Sequence, residues 1–305
     1  MTEQFARVSD DIELCYETFG DPSDPTVLLI MGLATQMHGW DAGFCELLAS
    51  RGFHVVRFDN RDCGRSSRAK GAPPSLKQLL LRDSSAASYT LSDLAADAVG
   101  LLNHLDVSAA HLAGASMGGM IAQTVAIEHP HRVRSLVSIM SNTGGRLSGQ
   151  PAFSIYPIFL RRPPRDREGY VEHTVKLYGR IGSSEDLGGD DARLREMAEL
   201  AYERGVDAAG NGRQLAAILA ERNRAKRLRD VRVPTLVIHG RSDRLVHQSG
   251  GWMTAKAVPG ADLLLISGMG HDLPPGVWER VAGGIEMTAR RADAGAGAPA
   301  LRAAA

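Results

Sequence analysis

Apolar residues along this chain fall into short blocks with two alternating rhythms. Val27-Leu28-Leu29-Ile30-Met31 is a continuous apolar run closed by Gly32, the pattern of a strand buried on both faces of a parallel sheet. Comparable runs recur at residues 54–58, 109–113, 133–140, 235–239 and 261–266. Two shorter candidate strands lie near the start, at 5–9 and 12–18, and the second alternates Ile12, Leu14 and Tyr16 with polar neighbours, as a half-buried strand does. Between the runs the apolar positions move to helical spacing. Leu94, Ala98, Leu101, Leu102 and Leu105 share one face over 91–105, with Thr90 or Ser92 as the N-cap. Further helices are predicted over 42–50, 117–128, 248–258 and 277–290. Strands alternating with helices predict right-handed crossovers and an α/β fold, a mostly parallel sheet flanked by helices.

The rhythm breaks between residues 144 and 226. This stretch opens with Gly144, Gly145 and Gly149 and carries Pro151, Pro157, Pro163 and Pro164. Two helices are predicted inside it. Tyr170, Thr174, Leu177, Tyr178 and Ile181 share a face over 165–181, and Leu194, Met197, Leu200 and Ala201 share one over 191–204. The expected organisation is therefore a core in two parts, 1–144 and 227–290, with a helical cap over 145–226 inserted between two strands. The Ala/Gly/Pro-rich tail, 291–305, is expected to be disordered. The apolar stripes of the cap helices are expected to line a pocket.

Composition narrows the function classes. The 305 residues include 35 Lys+Arg and 35 Asp+Glu, so the net charge is zero and the basic excess of a nucleic-acid binder is missing. The basic run Arg222, Arg224, Lys226, Arg227, Arg229 is interrupted by Leu228 and reads as a solvated face. Cys15, Cys45 and Cys63 form no C-x-x-C pair, which argues against a disulfide scaffold or a cysteine zinc site and suits a cytoplasmic protein. His129 and His131 have the spacing of a metal pair but no evident third ligand, so no metal is expected. The first residues lack an apolar signal core, and the longest apolar run, 26–34, is far short of the ~20 residues that span a bilayer. No cofactor motif is present: no Gly-Lys-Ser/Thr follows Gly118-Gly119 and there is no G-x-G-x-x-G.

The chemistry centres on Leu112-Ala113-Gly114-Ala115-Ser116-Met117-Gly118-Gly119. A Gly-x-Ser-x-Gly between a strand and a helix holds a serine on a tight, strained turn at the sheet's carboxyl edge. A serine hydroxyl needs a base, and the base needs an orienting acid. Asp243 follows the strand 235–239 and His271 follows the strand 261–266, so Ser116, Asp243 and His271 occur in the Ser…Asp…His order of this turn type. His239, inside a strand, reads as a core residue. Asp59 and Asp62 read as organisers of the turn holding Arg61, Cys63, Gly64 and Arg65. Two backbone N–H groups are needed for an oxyanion: Met117, after the nucleophile, and Leu33, in the loop after the first long run.

These residues resemble the α/β-hydrolase family over about residues 5–290. Met31-Gly32-Leu33, Asp59-x-Arg61-x-x-Gly64-x-Ser66, Gly114-Ala-Ser116-Met-Gly-Gly119 and Gly268-Met-Gly-His271 are similar to its aclacinomycin-methylesterase-like branch. Many relatives carry His-Gly where this chain has Met31-Gly32. The resemblance implies a serine hydrolase acting on a small-molecule carboxylic ester, in the form of a methyl ester of a bulky polyketide-like acid. Other uses of the same triad are C–C bond hydrolysis, perhydrolysis and acyl transfer. A ligand-binding protein on the same fold is the alternative from another class.

Overall fold

The computed structural model describes residues 2–297 apart from 82, 156 and 158–163. The strands β1 (Gln4–Arg7), β2 (Glu13–Phe19), β3 (Thr26–Ile30), β4 (His54–Phe58), β5 (Ala110–Ala115), β6 (Val133–Ile139), β7 (Thr235–Gly240) and β8 (Asp262–Ile266) form one sheet. Their spatial order is β1-β2-β4-β3-β5-β6-β7-β8, antiparallel at the β1–β2 and β2–β4 pairs and parallel elsewhere. In the parallel part Ile30 lies in register with both Phe58 and Gly114, so these strands end together at one edge.

Helices cover both faces, and the strand period of two divides the core between them. Leu28 and Ile30 of β3 pack in the cluster that holds Leu94 and Leu101 of α3 (Leu91–His104) and Ile121 and Val125 of α4 (Met117–Glu128). Val27 and Leu29, one residue out of phase, pack in the cluster that holds Phe44 and Leu48 of α1 (Ala42–Ala49) and Val277, Val281 and Ile285 of α9 (Pro275–Gly297). A short α2 (Leu76–Leu81) and α8 (Ser249–Ala257) complete the core helices. Of the two candidate N-caps of α3, Thr90 is the one used: it forms a capping box in which its hydroxyl accepts from Asp93 N–H and its own N–H donates to the Asp93 carboxylate at 2.7 Å.

The segment between β6 and β7 holds three described helices: α5 (Arg167–Ile181), α6 (Asp191–Glu203) and α7 (Ala208–Ala220). Each starts at an aspartate N-cap, Asp166, Asp190 and Asp207, whose side chain accepts a backbone N–H of the first turn. The sequence pattern gives the first two and misses α7, because Gly210, Asn211 and Gly212 are weak helix formers.

Two further expectations are corrected. Residues 291–297 belong to α9 rather than to a disordered tail. Alanine is the strongest helix former, and the last turns are tied down by Arg291 on Asp262 and by Asp293 on Arg134 at 2.6 Å. Residues 298–305 lie outside the described residues. The basic run is not uniformly solvated either. Arg224 is fully buried, donating from Nε to Gln123 Oε1 at 3.2 Å and from Nη2 to the Asn142 carbonyl at 2.9 Å.

Asp59 and Asp62 do more than shape their own turn. Asp59 Oδ2 accepts from Arg65 N–H, and it also pairs at 2.8 Å with Arg204, just past α6. Asp62 takes both Nε and Nη2 of Arg213 in α7, at 2.8 and 2.6 Å, and accepts the Tyr89 hydroxyl at 2.8 Å. The α6 and α7 end of the insertion is thus clamped to the loop after β4 by two buried, multiply hydrogen-bonded ion pairs. Truncating one partner of such a pair leaves an uncompensated charge.

Candidate active site

Ser116 occupies the turn from β5 into α4 with φ 55° and ψ −118°. That backbone conformation is rare for a residue with a side chain. It is held because β5 and α4 are fixed against β3: a Cβ on Gly118 would fall 2.0 Å from the Ile30 carbonyl oxygen. The result is a hydroxyl presented at the carboxyl edge of the sheet. Ser116 Oγ lies 3.0 Å from His271 Nε2, and His271 Nδ1 lies 2.7 Å from Asp243 Oδ2. The structure therefore brings together the three side chains singled out in the sequence, on the loops after β5, β7 and β8.

The carboxylate of Asp243 is buried and fully engaged. Its Oδ1 accepts the N–H groups of Leu245 at 2.9 Å and Val246 at 2.8 Å. Burial pushes its pKa up, but the neighbouring His271 charge and hydrogen bonds from His239 and His271 outweigh burial and hold it at about 2. An ionised Asp243 fixes the His271 tautomer with the proton on Nδ1, leaving Nε2 to accept from the serine. His239 is a core residue, as its strand position predicts. It also backs Asp243, with Nε2 donating to the Val246 carbonyl at 2.7 Å and lying 3.4 Å from Asp243 Oδ2.

His271 is positioned partly from the inserted segment. His271 N–H donates to the carbonyl of Ile181, the last residue of α5, at 2.7 Å. The neighbouring Asp272 accepts the N–H and hydroxyl of Ser183 at 2.8 and 2.5 Å. This contact has no signature in the sequence, since both groups are common loop residues.

Leu33 and Met117 flank the serine. A Cβ on Gly32 would sit 3.6 Å from Ser116 Oγ, so the chain leaving β3 passes against the hydroxyl. Met117 is the first residue of α4, where an N–H has no acceptor within the helix and carries the positive end of the helix dipole. Among the described residues, neither the Leu33 nor the Met117 N–H donates to a backbone or side-chain acceptor.

Above Ser116 lies a cavity of about 640 Å³, lined by Leu33, Ser116, Met117 and His271 below and by residues of α5, α6 and α7 above. Tyr170, Leu177, Ile181, Leu194 and Met197 line it, matching the predicted stripes. Leu200 does not: it is 37% exposed and lies outside the lining. Leu215, Ile218 and Leu219 of α7 were missed with their helix, although their i, i+3, i+4 spacing carried the signal. Cys63 is buried, and burial pushes its thiol pKa up, the opposite of a reactive thiolate. Among the described residues, no group of three or more His, Cys, Asp or Glu is placed to hold a metal ion, and no helix is long and apolar enough to cross a membrane.

A family model described as the alpha/beta hydrolase fold matches residues 25–274. Rhodomycin D methylesterase DnrP of Streptomyces peucetius is 29% identical, over 91% of this chain and 95% of that protein. A 2-hydroxy-6-oxononadienedioate/2-hydroxy-6-oxononatrienedioate hydrolase of Pseudomonas putida is 28% identical, over 88% and 90%. Among solved structures, 2-hydroxy-6-oxo-6-phenylhexa-2,4-dienoate hydrolase from Rhodococcus sp. strain RHA1 superposes with a TM-score of 0.74 at 19% identity, covering 95% of this chain and 98% of that one. The enol-lactonase from Burkholderia xenovorans LB400 gives 0.71 at 21%, covering 95% and 100%.

Proposed function

Because the chain belongs to the α/β-hydrolase fold family, we propose that it is a carboxylic ester hydrolase working through Ser116, His271 and Asp243. The observation that carries this reading is the hydrogen-bonded chain Asp243–His271–Ser116, with steps of 2.7 and 3.0 Å, at the floor of a largely apolar cavity. Ser116 Oγ attacks the ester carbonyl carbon while His271 Nε2 takes the hydroxyl proton. The carbonyl oxygen becomes an oxyanion beside the N–H groups of Leu33 and Met117. Such donors are each worth about 10²–10³-fold in kcat. As the intermediate collapses, the C–O bond to the alcohol breaks and His271 returns the proton to the leaving oxygen. Water, deprotonated by the same nitrogen, then hydrolyses the acyl-enzyme and restores Ser116.

The substrate proposed is a methyl ester of a bulky, mostly apolar acid. Two supports bear on it: the similarity to a protein named rhodomycin D methylesterase, and a cavity of about 640 Å³ roofed by Tyr170, Leu177, Leu194 and Met197. Binding a large acyl part there uses remote contacts to orient the carbonyl. The test is a panel of methyl esters of polycyclic aromatic acids, with methanol and free acid measured. Equal molar release of both by the wild type, and neither by Ser116→Ala, is expected. Release of neither product from any ester, alongside cleavage of a vinylogous 1,5-diketone, would place the chain with C–C hydrolases.

A further inference from the structure

The loop that carries Leu33 is not held by the core alone. Ala34 sits at φ +57°, a left-handed conformation unfavourable for a residue with a Cβ. Its N–H donates at 2.9 Å to Oε1 of Gln214, a residue of α7 that is completely buried. The other end of the same amide, Nε2, donates at 2.8 Å to the carbonyl of Arg61 in the loop after β4. Gln214 thus fills the gap between the oxyanion-side loop and the β4 loop, with one acceptor and one donor each used. Two residues further along, Gln36 reaches back to the inserted segment, donating from Nε2 to the carbonyls of Ala201 and Gly205 at 2.8 and 3.0 Å.

We infer that Gln214 is a positioning residue for the oxyanion site: its amide holds Ala34 in the left-handed turn that aims the preceding N–H, that of Leu33, at the space beside Ser116 Oγ. The inference rests on the proposed oxyanion role of Leu33. A left-handed Ala is strained relative to the ordinary helical region. The buried hydrogen bond from its N–H to Gln214 offsets that strain. Without it, the turn can relax toward negative φ, turning the Leu33–Ala34 peptide and, through the Leu33 backbone, shifting the N–H of the peptide before it. The consequence is a division of labour. The core supplies the nucleophile, the Met117 donor, the acid and the base. A helix of the inserted segment sets the geometry of the second donor. Insertion and oxyanion site are then coupled, so changes that loosen α7 reach the chemical step without touching the triad.

The test uses the full chain and compares wild type, Gln214→Met and Gln214→Glu. Gln214→Met keeps the length and loses both hydrogen bonds. Its kcat should fall about 10–100-fold while KM changes less than about threefold. Binding of a trifluoromethyl ketone, which forms an oxyanion on Ser116, should weaken by the same factor as kcat/KM, with binding of the parent polycyclic hydrocarbon, which offers the oxyanion donors nothing, unchanged. A purely structural role would weaken hydrocarbon and ketone alike, and that outcome overturns the inference, as does a folded Gln214→Met variant with wild-type kcat. Gln214→Glu provides a second reading should the Met variant not fold. A protonated carboxyl reproduces the amide's acceptor and donor, whereas the ionised form places an oxygen against the Arg61 carbonyl. The charged groups next in sequence to Gln214 and to its partner Arg61 are Arg213 and Asp62, which are paired with each other at 2.6 Å. The kcat of Gln214→Glu relative to wild type should fall as pH rises, and a pH-independent ratio contradicts the inference. Ser116→Ala, assayed alongside, separates the two levels: if it retains activity, the triad reading has failed rather than the role of Gln214.

Discussion

Asp243 and His271 stand 28 positions apart in the chain, yet Oδ2 of one lies 2.7 Å from Nδ1 of the other. The contact is made because β7 and β8 are adjacent and parallel, with Gly240 in register with Ile266, so the loops that follow them leave the sheet side by side. Replacing Asp243 with Asn presents an amide in place of the carboxylate and favours the wrong tautomer of the base. Ester turnover should drop by about 10³–10⁴-fold with substrate binding little changed. Steady-state kinetics of Asp243→Asn measure this directly, and full activity would show that the acid lies elsewhere.

The clamp between Asp62 and Arg213 predicts a stability change and its pH dependence. Burial raises the Asp62 pKa, but hydrogen bonds from Arg213, Tyr89 and the Ala69 N–H outweigh it and lower it below the usual carboxylate range. Its contribution is therefore complete above the unfolded-state pKa of about 3.9 and is lost as pH falls toward the folded value. Asp62→Asn should destabilise the protein by roughly 3–5 kcal/mol at pH 7, leaving Arg213 buried without its partner. The deficit relative to wild type should shrink below about pH 4. Urea unfolding of the two proteins at pH 7 and in acid checks both.

Burial of His111 predicts a second loss of stability in acid, here through a base rather than a carboxylate. His111 is buried in β5 with Nδ1 against Ser135 Oγ at 2.9 Å, and burial pushes its pKa down to about 4 from the ordinary 6.5. The unfolded chain takes up a proton below 6.5 that the folded protein refuses until about 4. Wild-type stability should fall over that window, by roughly 2–3 kcal/mol from this residue. His111→Gln should show a shallower acid slope between pH 6.5 and 4, read from chemical unfolding midpoints. An unchanged slope would mean that other groups dominate.

The parts of the fold that could be read from sequence are those with a periodic signal. The run Val27–Met31 and its partners define the parallel strands, and phase within each strand divides the two core layers. The three triad positions were legible because each follows such a run. What the sequence does not show is pairing across long separations. Asp59 and Asp62 carry the same local turn signal whether or not Arg204 and Arg213, 145 and 151 residues away, meet them. The α7 helix was hidden by Gly210 and Gly212, which suit a loop as well as a close approach. One of them, Gly210, packs so near the Asp62 carbonyl that a Cβ would fall 2.5 Å from its oxygen. Gln214 was hidden with the helix.

The roof of the cavity should set substrate choice. Met197 of α6 and Leu177 of α5 both line it. Truncating Met197 to Ala removes apolar surface worth ~2 kcal/mol from a ligand that covers it. The kcat/KM for a polycyclic methyl ester should fall about 10–30-fold, and that for a small acetate ester should stay within about twofold. Equal effects on both esters would locate selectivity in the core loops instead.

Covalent trapping tests Ser116 as the nucleophile most directly. Wild-type protein incubated with a p-nitrophenyl alkylphosphonate should gain the mass of one phosphonyl group, release one equivalent of p-nitrophenol, and carry the modification on the peptide containing Ser116. Ser116→Ala should gain none. A wild-type adduct on any other residue, or an unchanged adduct in Ser116→Ala, would contradict the account.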